Sequence, residues 1–133
     1  VKEAWLDESL SEFSAMWFLT AYDPDYSRMY IEGKKRLLAA VPEPLRGKSG
    51  PVRRSLEQFA DWDIYDYDLH FRGAMALWHV FERLGPDRTA GFLQDYYREY
   101  RFREATGEGF RRIFVRHAGK SLWHELEQRL NAR

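Results

Sequence analysis

The sequence predicts an all-α domain of six or seven short helices, and three observations carry that prediction. Apolar residues recur at steps of three and four along most of the chain, which is the period of one helix face. Pro, Gly and Asp punctuate these runs at places where helices stop and start. The connections left between them are mostly short.

The first helix carries Leu6, Leu10, Phe13 and Trp17 on one stripe. Asp23-Pro24-Asp25 ends it and opens the next, with Pro in the first turn. Tyr26, Met29, Tyr30, Gly33 and Leu37 then form a second amphipathic stripe, and Lys34-Lys35-Arg36 reads as a short solvated basic run. Residues 41–56 hold most of the Pro and Gly of this half and read as a variable loop, with a short helix expected over 54–60. Asp61 to Asp68 alternates acidic and large residues and reads as an ordered loop with aromatic anchors. Ala74, Leu77, Trp78, Phe81 and Leu84 make a stripe closed by Gly85-Pro86, a C-cap glycine followed by a first-turn proline. The next helix carries Phe92, Leu93, Tyr96, Tyr97 and Tyr100. Thr106 is an N-cap for a helix bearing Phe110, Ile113 and Phe114. Gly119 closes that helix, and Ser121 caps a last one with Leu122, Trp123, Leu126 and Leu130 inward.

Bulk composition narrows the function classes. A chain of 133 residues holds one domain. Lys plus Arg and Asp plus Glu are 21 each, so no net field draws the chain to nucleic acid. The stretch from Tyr96 to Arg103 interleaves aromatics with Arg, but on a helix these separate into a core stripe and a solvated face. With no cysteine, disulfides and thiolate zinc sites are excluded. No apolar run reaches the roughly 18 residues of a membrane helix, no signal peptide is visible, and the compartment is left open. An aromatic fraction of 17% suggests large core side chains, or aromatic surface that faces a partner.

Two short strings carry chemistry. Glu8 and Glu12 are four apart and share a helix face distinct from the Leu6 stripe. Such a pair is a solvated acidic face, or a place where a bound cation relieves the repulsion. His70-Phe71-Arg72-Gly73-Ala74 opens the helix of Ala74, and its glycine permits close backbone approach. The other histidines are less informative. His124-Glu125-Leu126-Glu127-Gln128 has Gln where a second imidazole is needed, and His79 and His117 read as packed or surface residues.

Trp5-Leu6-Asp7-Glu8-Ser9-Leu10-Ser11-Glu12-Phe13 resembles the W-L-[ND]-E-[GSA]-[LF]-[AS]-x-[YF] segment of zinc metallopeptidases of the aminopeptidase N type, the gluzincins. Lys2-Glu3-Ala4 before it suits bacterial members. His70 to Leu77 is similar to the family's Y-x-[KR]-G-A-x-x-L block, and the order of pieces from Gly85 to Leu130 is similar to the tail that follows it. The likeness extends over nearly the whole chain apart from the loop at 41–56.

The resemblance implies the helical C-terminal subdomain of a thermolysin-like catalytic domain. It implies Glu8 as third zinc ligand, about eighteen residues after an H-E-x-x-H helix. Ser9 stands where glycine is commonest. The block's tyrosine, which donates to the oxyanion of the attacked carbonyl, is replaced here by His70, with Tyr67 and Tyr65 nearby as substitutes. Glu12 and Arg72 are the candidates for binding substrate or orienting a ligand. By this resemblance the chain, which begins at Val1 rather than Met, is a piece of a longer metallopeptidase. Zinc belongs to the intact protein and is not expected tightly bound in this piece. The implied partners are the N-terminal part of the same protein and a peptide substrate. A homodimer through the face exposed by truncation is a further expectation. The competing reading is a non-catalytic helical module that binds peptides or proteins.

Overall fold

The computed structural model describes residues 3–133, and every regular element among them is helical. A 3₁₀ turn, Ala4–Leu6, leads into α1 (Glu8–Tyr22), followed by α2 (Pro24–Ala39) and the single turn α3 (Glu43–Arg46). A second 3₁₀ turn, Leu56–Gln58, precedes α4 (Trp62–Asp66), which runs into a π-helical stretch, Tyr67–Gly73. Then come α5 (Ala74–Leu84), α6 (Pro86–Tyr100) and α7 (Gly107–Asn131), the last broken at Gly119. Lys2, on which the likeness to bacterial members partly rests, lies outside the described residues.

Local chemistry explains most boundaries. Asp23 caps α2 by accepting from the Tyr26 N–H at 3.0 Å, and Asp61 caps α4 by accepting from Ile64 at 3.0 Å. Thr106 accepts from the Gly109 N–H at 3.1 Å, as its position predicts. Gly85 and Gly119 take φ of 91° and 85°, a region other residues enter only under strain, so both helix ends read from the sequence are helix ends in the fold.

The core lies between α1, α5, α6 and α7. Trp5, Phe13, Leu77, Phe81, Phe92, Phe110, Ile113, Phe114, Leu126 and Leu130 are fully or almost fully buried there. Phe92 meets Phe81, Phe110 and Phe114 with ring centroids 5.0–5.9 Å apart, mostly edge to face, the arrangement that ring quadrupoles favour. Trp17 packs half-buried against this cluster, and Tyr97 alone of its predicted stripe points to solvent.

Three expectations are corrected. The apolar stripe of α2 does not face the core: Met29 is 66% and Leu37 58% exposed, and Tyr26 is exposed too. Ser27, Ile31 and Lys34 are buried instead. The cause is polar. Ser27 Oγ lies 2.9 Å from Thr20 Oγ1, and the Lys34 ammonium reaches Glu12 at 2.8 Å. Both contacts tie α2 to α1 through the face that pattern alone would send outward. Lys34 is therefore not part of a solvated basic run. Second, the stretch over 61–68 is a helical turn passing into a π-helix, not a loop. Third, the helix expected over 54–60 is only the turn Leu56–Gln58, and the loop at 41–56 contains α3.

Candidate functional site

The N-terminus of α1 and the π-helical stretch approach each other very closely. Ser9 is fully buried, and its hydroxyl donates to the Leu69 carbonyl at 2.8 Å. A Cβ built on Gly73 would stand 2.1 Å from Ser9 Oγ and 3.0 Å from Val52 Cγ1, so only glycine fits this crossing. The small residue after Glu8 and the glycine after Arg72 are thus two halves of one contact. That contact brings two strings sixty residues apart onto one site.

At the site, the Tyr65 hydroxyl donates to Glu8 Oε1 at 2.7 Å, and His70 Nε2 lies 3.2 Å from Glu8 Oε2. Tyr65 lies in the last turn of α4 and His70 in the π-helical stretch that continues it. Tyr65 and His70 are five apart, their rings meet edge to face at 6.3 Å, and Glu8 lies against both. The Glu8 side chain keeps 31% of its surface exposed, so its carboxylate is held but not sealed. Burial first, then the bond to Glu8, raises the Tyr65 phenol well above its ordinary range and keeps it a donor at neutral pH.

One turn along α1, Glu12 forms a second polar cluster. Its Oε1 accepts from the Tyr30 hydroxyl at 2.6 Å and from Lys34 Nζ at 2.8 Å. Lys34, 5% exposed, also donates to the His70 carbonyl at 3.1 Å and sits 4.2 Å from the centre of the Phe71 ring. Burial works to raise the Glu12 carboxyl, but the bonds from Lys34 and Tyr30 outweigh it and hold the group below its ordinary value. Tyr30 is pushed up to about 12 by burial and by the Glu12 carboxylate. Lys34 thus joins the Glu12 cluster to the residue beside Glu8.

The fold separates the remaining candidates from this place. Tyr67, two residues from Tyr65, points to the other side and lines a depression with Leu37, Val41 and Asp63. Tyr65 is the phenol at Glu8. Arg72 is two residues from His70 and is likewise turned away. It donates to Asp68 Oδ1 at 2.7 Å, to the Gly50 carbonyl at 2.8 Å and to the Ala132 carbonyl at 2.8 Å. Asp68 is fully buried and also holds Arg54 at 2.7 Å. This network clamps the loop at 49–54 and the C-terminus onto the π-helix, so Arg72 is a structural residue. Asp68, Arg54 and Lys34 are the residues that sequence reading missed, while Tyr65 stands there only as an alternative beside Tyr67. The i, i+4 spacing of Asp68 and Arg72 was the available signal for the first.

The other histidines pair with acids elsewhere, His79 with Glu125 and His117 with Asp95, each at 2.7 Å. Among the described residues no group of three or more His, Asp or Glu is placed to hold a metal. No helix among them is long and apolar enough to cross a membrane. The chain matches no family model, no curated protein and no solved structure.

Proposed function

We propose that the chain is the C-terminal part of the catalytic domain of a zinc-dependent, aminopeptidase-like metallopeptidase, supplying the third metal ligand and part of the substrate cleft. One observation carries the reading. The Glu8 carboxylate lies against His70, with Tyr65 beside them, and Glu8 and His70 come from the two strings whose family counterparts share one active site. Had Glu8 stood on a remote surface, the resemblance would have lost its physical content.

The donor chemistry fits zinc, which takes carboxylate oxygen and imidazole nitrogen at about 2.0–2.2 Å. A lone carboxylate does not make a site, so the remaining ligands and the general base belong to a preceding H-E-x-x-H helix in the N-terminal part of the same protein. Bound zinc supplies a water of near-neutral pKa and polarises the scissile peptide carbonyl. This chain's residues do the rest. Tyr65 orients the Glu8 carboxylate through its hydroxyl, and Lys34 fixes the His70 backbone. By the resemblance His70 takes the role of donor to the developing oxyanion, with Tyr65 as the adjacent phenol. Glu12, already shared by Tyr30 and Lys34, ties α1 to α2 beside this place. The chain alone is not a peptidase.

A non-catalytic helical module is the second reading, and one feature favours it. Both Glu8 oxygens are already engaged, Oε1 by Tyr65 and Oε2 by His70, a self-sufficient arrangement that needs no metal. The sequence preceding Val1 separates the two. The enzyme reading expects H-E-x-x-H to end about eleven residues upstream, and its absence there leaves the module reading. Calorimetry on the 133-residue chain should detect no sub-micromolar zinc binding, and tight binding would contradict the shared-site account.

A further inference from the structure

We infer that the trough beside α2 is a docking site for an extended segment of another protein carrying large apolar side chains followed by basic ones. The trough has two parts joined at Leu37 and Phe71. One runs past Tyr26, Met29 and Gly33, and the other, of about 550 Å³, lies between the start of α3 with the residues before it and α4. Its apolar wall is the stripe that α2 turns away from the core. A helix that buries Ser27 and Lys34 while leaving Met29 and Leu37 in water has its amphipathic pattern matched to something outside this chain.

Charge selects the occupant. Asp61, Asp63 and Asp66 stand at the α4 end, against Lys48 alone, and Lys48 is already bonded to Asp61 at 3.3 Å. Asp63 and Asp66 pair with no cation among the described residues. A partner that brings arginine or lysine to that end meets two free carboxylates. The site is preformed. Pro42 and Pro44 stiffen one wall, the Asp61 cap fixes α4, and Lys34 supports the Phe71 ring from beneath.

The length of the trough sets the length of the segment. From Tyr26 to Ala40 the helix runs about 21 Å at 1.5 Å per residue, which takes about six residues of extended chain. The chain's own Arg101-Phe102-Arg103 turn, with Phe102 88% exposed, has matching chemistry but offers a single aromatic and fills one end only.

The inference is independent of the zinc reading, because its test uses neither metal nor turnover. Two fluorescein-labelled peptides of about ten residues serve as probes. Both carry leucine and phenylalanine in the first half, one followed by arginines and the other by glutamates. Fluorescence anisotropy on the whole chain should show the arginine peptide binding at least about tenfold more tightly than the glutamate peptide, and more weakly at high salt. Leu37→Asp should weaken it about tenfold. Asp63→Lys with Asp66→Lys should reverse the preference between the two peptides. All three side chains are at or near the surface, and an unchanged urea midpoint confirms that each variant is folded. Equal binding of the two peptides, or indifference to Leu37→Asp, overturns the inference. So does self-association in light scattering that Phe102→Ser abolishes and that competes with the peptide, since the occupant is then a second copy.

Discussion

The two halves of this molecule are held together by different physics. Around Phe92, the helices α5, α6 and α7 meet through a dry cluster of aromatic rings with few polar groups. Around Glu8 and Glu12, α1, α2 and the π-helix meet through carboxylates, phenols, an ammonium and an imidazole, while α2 turns its large apolar side chains to water. The first region is built to be stable. The second gives up apolar burial to hold charged groups in fixed places, which a protein does where it binds or reacts.

Substitutions sharpen that contrast, beginning where the effect is largest. Phe92→Ala or Phe110→Ala should cost about 3–5 kcal/mol in urea unfolding, enough to leave a domain of this size marginal. A cost below about 1 kcal/mol would mean that the aromatic cluster is not the source of stability. Gly73→Ala should cost about 1–3 kcal/mol, because the added methyl meets Ser9 and Val52 and both are packed. It should also disturb the Glu8 site through the crossing it pries apart, visible as altered amide shifts at Glu8 and His70.

Lys34→Met should cost about 1–3 kcal/mol by stranding the partly buried Glu12 carboxylate. Adding Glu12→Gln should recover part of that loss, and purely additive losses would dissolve the proposed pair. The pH dependence follows from the same pair. Glu12 titrates below its ordinary 4.5 in the folded state, so its contribution is present above that value and is lost as pH falls through the lower folded value. Tyr30 is raised from 10.0 to about 12, so its contribution holds below pH 10 and fades between those values. Phenolate absorbance should accordingly show Tyr30 and Tyr65 among the last of the eight tyrosines to ionise. The smallest effect belongs to Glu8→Gln, with stability unchanged within about 1 kcal/mol because the group is part-exposed. A large loss there would recast Glu8 as a structural residue.

The dry half was legible in the sequence, since a period of three and four with Gly and Pro at the ends is what buried helices require, and Gly85, Thr106 and Gly119 each do what their positions imply. The rotation of α2 was not legible. It is set by Ser27 meeting Thr20 and by Lys34 meeting Glu12, both across the α1–α2 interface, and a pattern of hydrophobicity holds no record of such contacts. The π-helix was hidden for a related reason. That stretch is held from elsewhere in the chain by Ser9 reaching the Leu69 carbonyl and by Arg54 reaching Asp68, contacts that local propensity does not carry. Glu8 and His70 could be singled out by resemblance, but that Tyr65 rather than Tyr67 joins them is decided by the packing of α4 against α1.

We propose that Glu8 completes a metal centre whose other ligands come from a preceding segment. The most direct test is the zinc content of a protein carrying this chain together with its preceding segment, compared between wild type, Glu8→Ala and Glu12→Ala after dialysis against a weak chelator. The account predicts close to one zinc per chain in the wild type, retention in Glu12→Ala, and loss in Glu8→Ala. Equal zinc in all three, or none in the wild type, would contradict it.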